Sequence, residues 1–154
     1  MKLKQVMLIF SAVILLTGCV SGYNAKLARQ LGADDYGMKN YVLVMLKTGP
    51  NKITEKSTLD SLFRGHMTNI QQLSEQGKMI VAGPLQKNEN QYRGIFILDA
   101  KDMDEAAELL KKDPTIREKI LEAEMYTWYG SAALPEYLKM HSKIEKIRPW
   151  VIPD

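Results

Sequence analysis

Apolar positions follow two different periods along this chain, and each change of period marks a new element. Residues 41–46 form an apolar run of strand length that stops at the turn signal Gly49-Pro50. The next apolar residues recur every three or four positions, which predicts an amphipathic helix that ends at Gly77. The residues of this helical stripe are Leu59, Leu62, Phe63, Met67, Ile70 and Leu73.

The same signals predict the remaining elements of the domain. The further strands are residues 78–82, 93–98 and 122–129. Between the last two, a second helix begins at Asp102 or Asp104 and ends before Asp113-Pro114, because a residue before proline avoids the helical region. The order β-α-β-β-α-β predicts an α+β fold of the ferredoxin-like type.

The predicted strands are apolar on both faces, so both faces of the sheet need cover. Val42 and Val44 fall on one face of the first strand, while Leu43 and Met45 fall on the other. Two helices cover one face only. The same sheet of a second subunit can cover the other, which predicts a homodimer, and the C-terminal extension 134–154 is the alternative. The extension carries a helical apolar pattern at Tyr137, Leu138, Met140, Ile144 and Ile147.

The N-terminus has the pattern of an export signal. A short basic stretch with Lys2 and Lys4 precedes residues 6–16, which are almost all apolar and too few to span a bilayer. The following Leu16-Thr17-Gly18-Cys19 resembles the bacterial lipobox. This resemblance implies a signal peptide over 1–18 and lipidation at Cys19, with a plain signal peptide or a membrane anchor as the alternative.

The resemblance also implies where the protein resides. Residues 19–40 contain few large apolar side chains and predict a tether between the lipidated cysteine and the domain. Val20 stands where an Asp would retain a lipoprotein at the inner membrane. We therefore expect an exported chain on the outer membrane, facing the periplasm, with a membrane contact through Cys19.

Composition narrows the remaining classes of function. The 154 residues carry 21 Lys and Arg against 18 Asp and Glu, a net charge of +3, with no basic stripe that would predict nucleic-acid binding. One cysteine excludes an intrachain disulfide, and two distant histidines do not predict a metal site. No glycine-rich phosphate loop occurs, so we expect no cofactor.

Several short motifs, in order, resemble the YCII-related (YciI-like) family. They are Gly65-His66-Met67-Thr68-Asn69-Ile70, Gly77-Lys78, Ala82-Gly83-Pro84, Asp113-Pro114 and the segment 128–134. The resemblance places the domain at 41–133 and implies a dimeric α/β barrel, in which two ferredoxin-like protomers join their sheets face to face. It further implies that a His and an Asp, here His66 and Asp113, meet in a cleft.

These two residues suit acid–base chemistry. His66 lies on the apolar stripe of its helix, and a partly buried imidazole beside a carboxylate is the usual arrangement of a general base. Asp113 would orient it. The alternatives are a packed histidine for His66 and a helix cap for Asp113. A carboxylate has two oxygens, so Asp113 can cap a helix and orient the imidazole at the same time.

Four other residues are candidate ligand contacts near the expected cleft. The backbone of Gly83 and Pro84 can line a pocket or form a simple turn, Trp128 can stack on a ligand or pack in the core, and Ser131 can donate a hydroxyl. The sequence thus predicts a small-molecule enzyme of lyase, isomerase or hydrolase type. A non-catalytic module for ligand binding or envelope assembly is the alternative.

Overall fold

The computed structural model describes residues 22–146, and none of the helices in this range is long and apolar enough to cross a membrane. The signal peptide 1–18 and Cys19 lie outside the described residues, as does Ile147. The elements are α1 (Ala25–Leu31), β1 (Met38–Thr48), α2 (Lys56–Glu75), β2 (Met79–Pro84), β3 (Tyr92–Leu98), α3 (Met103–Leu110), α4 (Pro114–Arg117), β4 (Leu121–Ser131) and, after a 3₁₀ turn at Leu134–Tyr137, α5 (Leu138–Ile144).

The four strands form one antiparallel sheet in the order β2-β3-β1-β4. In the centre of the sheet, Val44 of β1 lies opposite Phe96 of β3 and Met125 of β4. The elements therefore follow the ferredoxin-like β-α-β-β-α-β order, and the predicted fold class is confirmed together with its C-terminal helix.

The main core lies between the sheet and helices α2 and α3. Val44 and Leu98 are fully buried there, and Leu73 of α2 and Leu110 of α3 pack on them in the same cluster. Burial of each such side chain stabilises the fold by roughly 1.5–3 kcal/mol. This packing fixes α2, which carries His66, against the middle of the sheet.

The opposite face of the sheet is covered at one end by the C-terminal extension. Leu134 and Leu138 pack on a second cluster that contains Tyr41 and Ile97. The Tyr137 hydroxyl donates a hydrogen bond to the Ile80 carbonyl at 2.7 Å. The extension, one of the two predicted covers, thus supplies part of the cover. Towards the other end, Met45, Ile95 and Tyr126 keep substantial exposure.

The described part of the predicted tether, residues 22–40, contains more regular structure than its composition indicates. The Asn24 side chain accepts from the Leu27 amide and caps α1, and Gly32 ends that helix in the left-handed region at φ +69°. Gly32 is therefore a helix terminator. The first residues of β1 also belong to this segment, because Met38 and Asn40 pair with Ser131 and Tyr129 of β4.

Candidate active site

His66 lies in the middle of α2 and faces the sheet. Its residue surface is only 8% exposed. The Phe96 ring of β3 stacks on the imidazole with centroids 5.9 Å apart, and the Phe63 ring meets it edge-on at 6.1 Å. Two aromatic walls therefore restrict the plane in which the imidazole can lie.

Asp113 is completely buried at the junction of α3 and α4, and its two carboxylate oxygens contact different partners. Oδ1 caps α4, accepting from the Thr115 amide at 2.9 Å and from the Thr115 hydroxyl at 2.7 Å. Oδ2 lies 2.6 Å from His66 Nδ1. The two roles considered for Asp113, capping a helix and contacting the histidine, therefore coexist in one side chain.

A glycine allows the two helices to come this close. A Cβ atom built on Gly65 would stand 2.6 Å from Cγ of Pro114, which is far inside van der Waals contact. The proline ring is stiff, so any side chain at position 65 would displace the start of α4. Gly65 precedes His66 and Pro114 follows Asp113, so this contact sets the approach of the two functional side chains.

The electrostatics of the pair favour an ionised carboxylate. Burial raises the pKa of Asp113, but the hydrogen bond from His66, the Coulombic attraction to the His66 ring when it is charged, and the hydrogen bonds from Thr115 outweigh it, so the net pKa lies below the ordinary value of an aspartate. An ionised carboxylate only accepts hydrogen bonds, so Nδ1 of His66 carries a proton. The other ring nitrogen, Nε2, makes no hydrogen bond to any described residue.

A cavity of about 530 Å³ opens beside the imidazole. His66 and Arg93 are the charged or titratable side chains of its lining, which includes no Asp or Glu among the described residues. Phe63 and Arg93 are exposed at its mouth. The rest of the lining comes from β1, α2 and the β2–β3 hairpin: Leu46, Met67, Ile70, Ala82, Gly83, Pro84, Gly94 and Phe96.

The predicted site residues fall into two groups. Gly83 and Pro84 line the cavity with His66, and Asp113 lies behind the imidazole. Trp128 lies on the opposite face of the sheet, where it pairs with Tyr41 and packs on that ring at 5.7 Å. Ser131 is at the far end of β4, and its hydroxyl oxygen accepts from the Ala133 amide at 3.3 Å. The cavity thus includes neither of these two residues.

The sequence alone assigned no role in the site to Thr115, Gly65 or Arg93. Thr115 is fully buried, and its hydroxyl also lies 3.3 Å from His66 Nδ1. A Thr two residues after Asp, with Pro between, is a signal for a capped turn that would have pointed to this contact. Gly65 and Arg93 stand in an ordinary helix and strand, where their roles depend on tertiary contacts.

The arrangement can move protons. When the imidazole is neutral and Nδ1 donates to the buried carboxylate, the lone pair of the ring is on Nε2, and Asp113 stabilises the imidazolium that forms when Nε2 takes a proton. No group of three or more metal-ligating side chains occurs within residues 22–146.

Comparison with known proteins identifies a family and a structural neighbour. No curated protein sequence matches the chain. Among solved structures, one similar chain is 5-chloro-2-hydroxyhydroquinone dehydrochlorinase from Burkholderia phenoliruptrix AC1100, in complex with 2,5-dihydroxybenzoquinone. It shares 14% identity, with a TM-score of 0.42 over 56% of this chain and 92% of that one. The family profile of the YCII-related domain matches residues 40–128, more than half of the sequence. The chain belongs to the YCII-related domain family.

Proposed function

We propose that this protein is a small-molecule enzyme in which His66 is the general base and Asp113 its orienting partner. One observation carries the proposal: Nδ1 of His66 meets the fully buried carboxylate of Asp113 at 2.6 Å, beside a cavity that the imidazole lines. Helix capping alone needs one oxygen of Asp113 and does not account for the contact of the second.

The proposed chemistry starts with proton abstraction. Nε2 takes a proton from a carbon next to an electron-withdrawing group, and the electron pair left behind delocalises into that group. Return of the proton to another atom gives an isomerase, and loss of a leaving group gives a lyase. Abstraction from a bound water instead of carbon gives a hydrolase. In each case the charge on the imidazole is balanced by Asp113.

Proton exchange provides a test that needs no known substrate. A panel of small carbonyl compounds and carboxylic acids is incubated with the protein in D₂O, and deuterium incorporation is followed by NMR. We expect His66→Gln to lose about a hundredfold or more of any exchange, the scale of general base catalysis. His141→Gln is the matched control, because His141 is exposed on α5 and outside the cavity.

Exchange that survives in His66→Gln would refute the role of the base. If no compound exchanges although compounds bind in the cavity, the non-catalytic ligand-binding module is the better description. Retention of exchange in His141→Gln shows that the loss comes from the site and not from removal of any imidazole.

We propose further that the protein is an exported lipoprotein on the outer membrane, facing the periplasm. The support is the motif Leu16-Thr17-Gly18-Cys19 behind an apolar run of signal-peptide length, with Val20 after the cysteine. Metabolic labelling with a palmitate analogue should mark the wild type and spare Cys19→Ala. Val20→Asp should move the protein to the inner-membrane fraction, and an unlabelled wild type would contradict the proposal.

We also propose a homodimer through the open part of the outer sheet face. Met45 and Ile95 pair across β1 and β3 there and are only partly buried within one subunit. Light scattering on a chain that starts at Asn24 should give twice the subunit mass. Met45→Lys should give the monomer, while Met140→Lys, on the exposed side of α5, should leave the dimer intact. A monomeric wild type would refute the dimer.

A further inference from the structure

Arg93 is a cation at the mouth of the cavity, and no residue within 22–146 supplies an anion to it. Its Nε donates to the Thr48 hydroxyl at 2.6 Å, and Thr48 in turn holds the Gln91 carbonyl through its amide at 3.1 Å. The terminal nitrogens of the guanidinium make no hydrogen bond or ion pair to any residue that the structure describes. One edge of the guanidinium is therefore anchored, and its remaining N–H donors are free.

The surroundings of Arg93 make an anion the complementary ligand. The described lining is apolar apart from Arg93 and His66, and no carboxylate faces the guanidinium across the cavity. A planar guanidinium offers paired donors that match a carboxylate, and a nearby apolar wall weakens the competition from water. The apolar walls suit a hydrocarbon or aromatic body attached to that carboxylate.

The spacing along β3 sets the size of this ligand. Arg93 and Phe96 are three residues apart on β3, so their Cα atoms are at most about 10 Å apart at the usual strand rise. Leu46 pairs with Gly94 and Lys47 with Tyr92, so Arg93 is a bulged residue and the ordinary alternation of faces does not apply to it. The Phe96 ring stacks on His66 and Arg93 lines the same cavity, so this spacing approximates the separation of the imidazole from Arg93. A ligand with a six-membered ring, or a chain of similar length, places its carboxylate at Arg93 and its far end at His66.

We propose that Arg93 binds the carboxylate of a small organic anion with an apolar body, and so selects the substrate on which His66 acts. The inference rests on the proposed function, because it names the substrate class of the same cavity. Arg93 is here a specificity-determining residue, and Thr48 is its positioning residue.

Benzoate and benzamide are matched probes, since they share shape and apolar surface and differ in charge. Both are titrated into the full chain in detergent micelles and followed by saturation-transfer difference NMR, with micelles alone as the blank. We expect benzoate to bind about tenfold or more tightly than benzamide, the scale of a charge-assisted hydrogen bond. Arg93→Gln should weaken benzoate to the level of benzamide and leave benzamide unchanged.

Two further variants separate the site from general charge. Arg93→Lys keeps the charge but loses the planar fork, so it should retain only part of the preference. Arg64→Gln removes a positive charge from exposed surface of α2 outside the cavity and should retain all of it. Equal binding of the two probes by the wild type, or no binding of either, would overturn the proposal. A preference that persists in Arg93→Gln would overturn it as well.

The two proposals fail in different measurements. Deuterium exchange that depends on His66, combined with equal affinity for the two probes, leaves the base and refutes the anion site. A charge preference that depends on Arg93, without exchange that depends on His66, supports the anion site and refutes the enzyme.

Discussion

Replacement of Asp113 by Asn changes the hydrogen-bond direction at His66 while it preserves the shape of the site. The Asn oxygen can still accept from the amide and hydroxyl of Thr115, as Oδ1 of Asp113 does. The Asn NH₂ takes the place of Oδ2, 2.6 Å from His66 Nδ1, and an NH₂ group only donates. Nδ1 must then accept, so the ring proton moves to Nε2 and removes the lone pair from the cavity.

The magnitudes separate this effect from a loss of structure. In Asp113→Asn a charge-assisted hydrogen bond of about 1.5–3 kcal/mol becomes a neutral one of about 0.5–1.5 kcal/mol, so the free energy of unfolding should fall by about 1–2 kcal/mol. Asp113→Ala removes all three hydrogen bonds of a completely buried group and should cost about 3–5 kcal/mol. Activity should nevertheless fall by about 10⁴ in Asp113→Asn, the scale of the corresponding change in a serine-protease triad.

Urea unfolding measures the change in the free energy of unfolding, and the ¹⁵N shifts of the imidazole nitrogens show which of them carries the proton. The chain has two histidines, so His141→Gln assigns the signals of His66. We expect the proton on Nδ1 in the wild type and on Nε2 in Asp113→Asn. A proton that stays on Nδ1 in the variant, or a stability loss as large as that of Asp113→Ala, would refute this account of the pair.

Four further predictions follow from the described contacts. Because the pKa of Asp113 is lower in the folded than in the unfolded chain, its contribution to stability is present above pH 3.8 and is lost as the pH falls through the folded pKa. The acid unfolding curve of Asp113→Asn should therefore lack the loss of stability that this carboxyl causes in the wild type. Gly65→Ala forces a methyl group against Pro114 and should destabilise the fold by about 1–3 kcal/mol in urea, with a changed His66 ring signal in NMR; an unchanged signal would contradict the spacing argument. Thr115→Val leaves one oxygen of the buried carboxylate with a single donor and should cost about 1–3 kcal/mol in thermal unfolding, whereas a neutral effect would mean that water replaces the hydroxyl. Tyr137→Phe removes the hydrogen bond to β2 and should speed amide exchange in α5, with a stability loss of about 1 kcal/mol; unchanged exchange would show that the apolar contacts alone hold the extension.

Local signals were enough to predict the order of the elements. The glycine–proline pair at 49–50 and the helical stripe of α2 are properties of short segments, and they are found without knowledge of the fold. Gly83 and Pro84, in contrast, are the last residues of β2 and pair with Ile95 and Gly94 of β3, so they form no turn. The ends of the long strands were not predictable in this way. Met38 and Asn40 look like linker residues, and they become strand residues only because Ser131 and Tyr129 lie beside them.

The candidate site shows the same division. The sequence identified His66 as a candidate through its place on an apolar stripe and Asp113 through its place before a proline. The family resemblance predicted that the two residues meet in a cleft. The sequence did not predict which face of the sheet carries Trp128, because both faces of β4 receive an aromatic residue. A shift of one residue in register would exchange the two faces. In the sequence, Arg93 looks like an ordinary polar residue of a strand. Its position at the cavity follows from the packing of β3 against α2, which the sequence alone does not give.

The contact between Gly65 and Pro114 has a consequence for how the His–Asp pair is recognised in related sequences. The distance between His66 and Asp113 depends on the absence of a side chain at a third position, which takes no part in the chemistry. A related sequence can therefore keep both polar residues and lose their contact through a single added methyl group. A survey that looks for the His and the Asp alone would overlook this loss, and the residue before the histidine is the one to inspect.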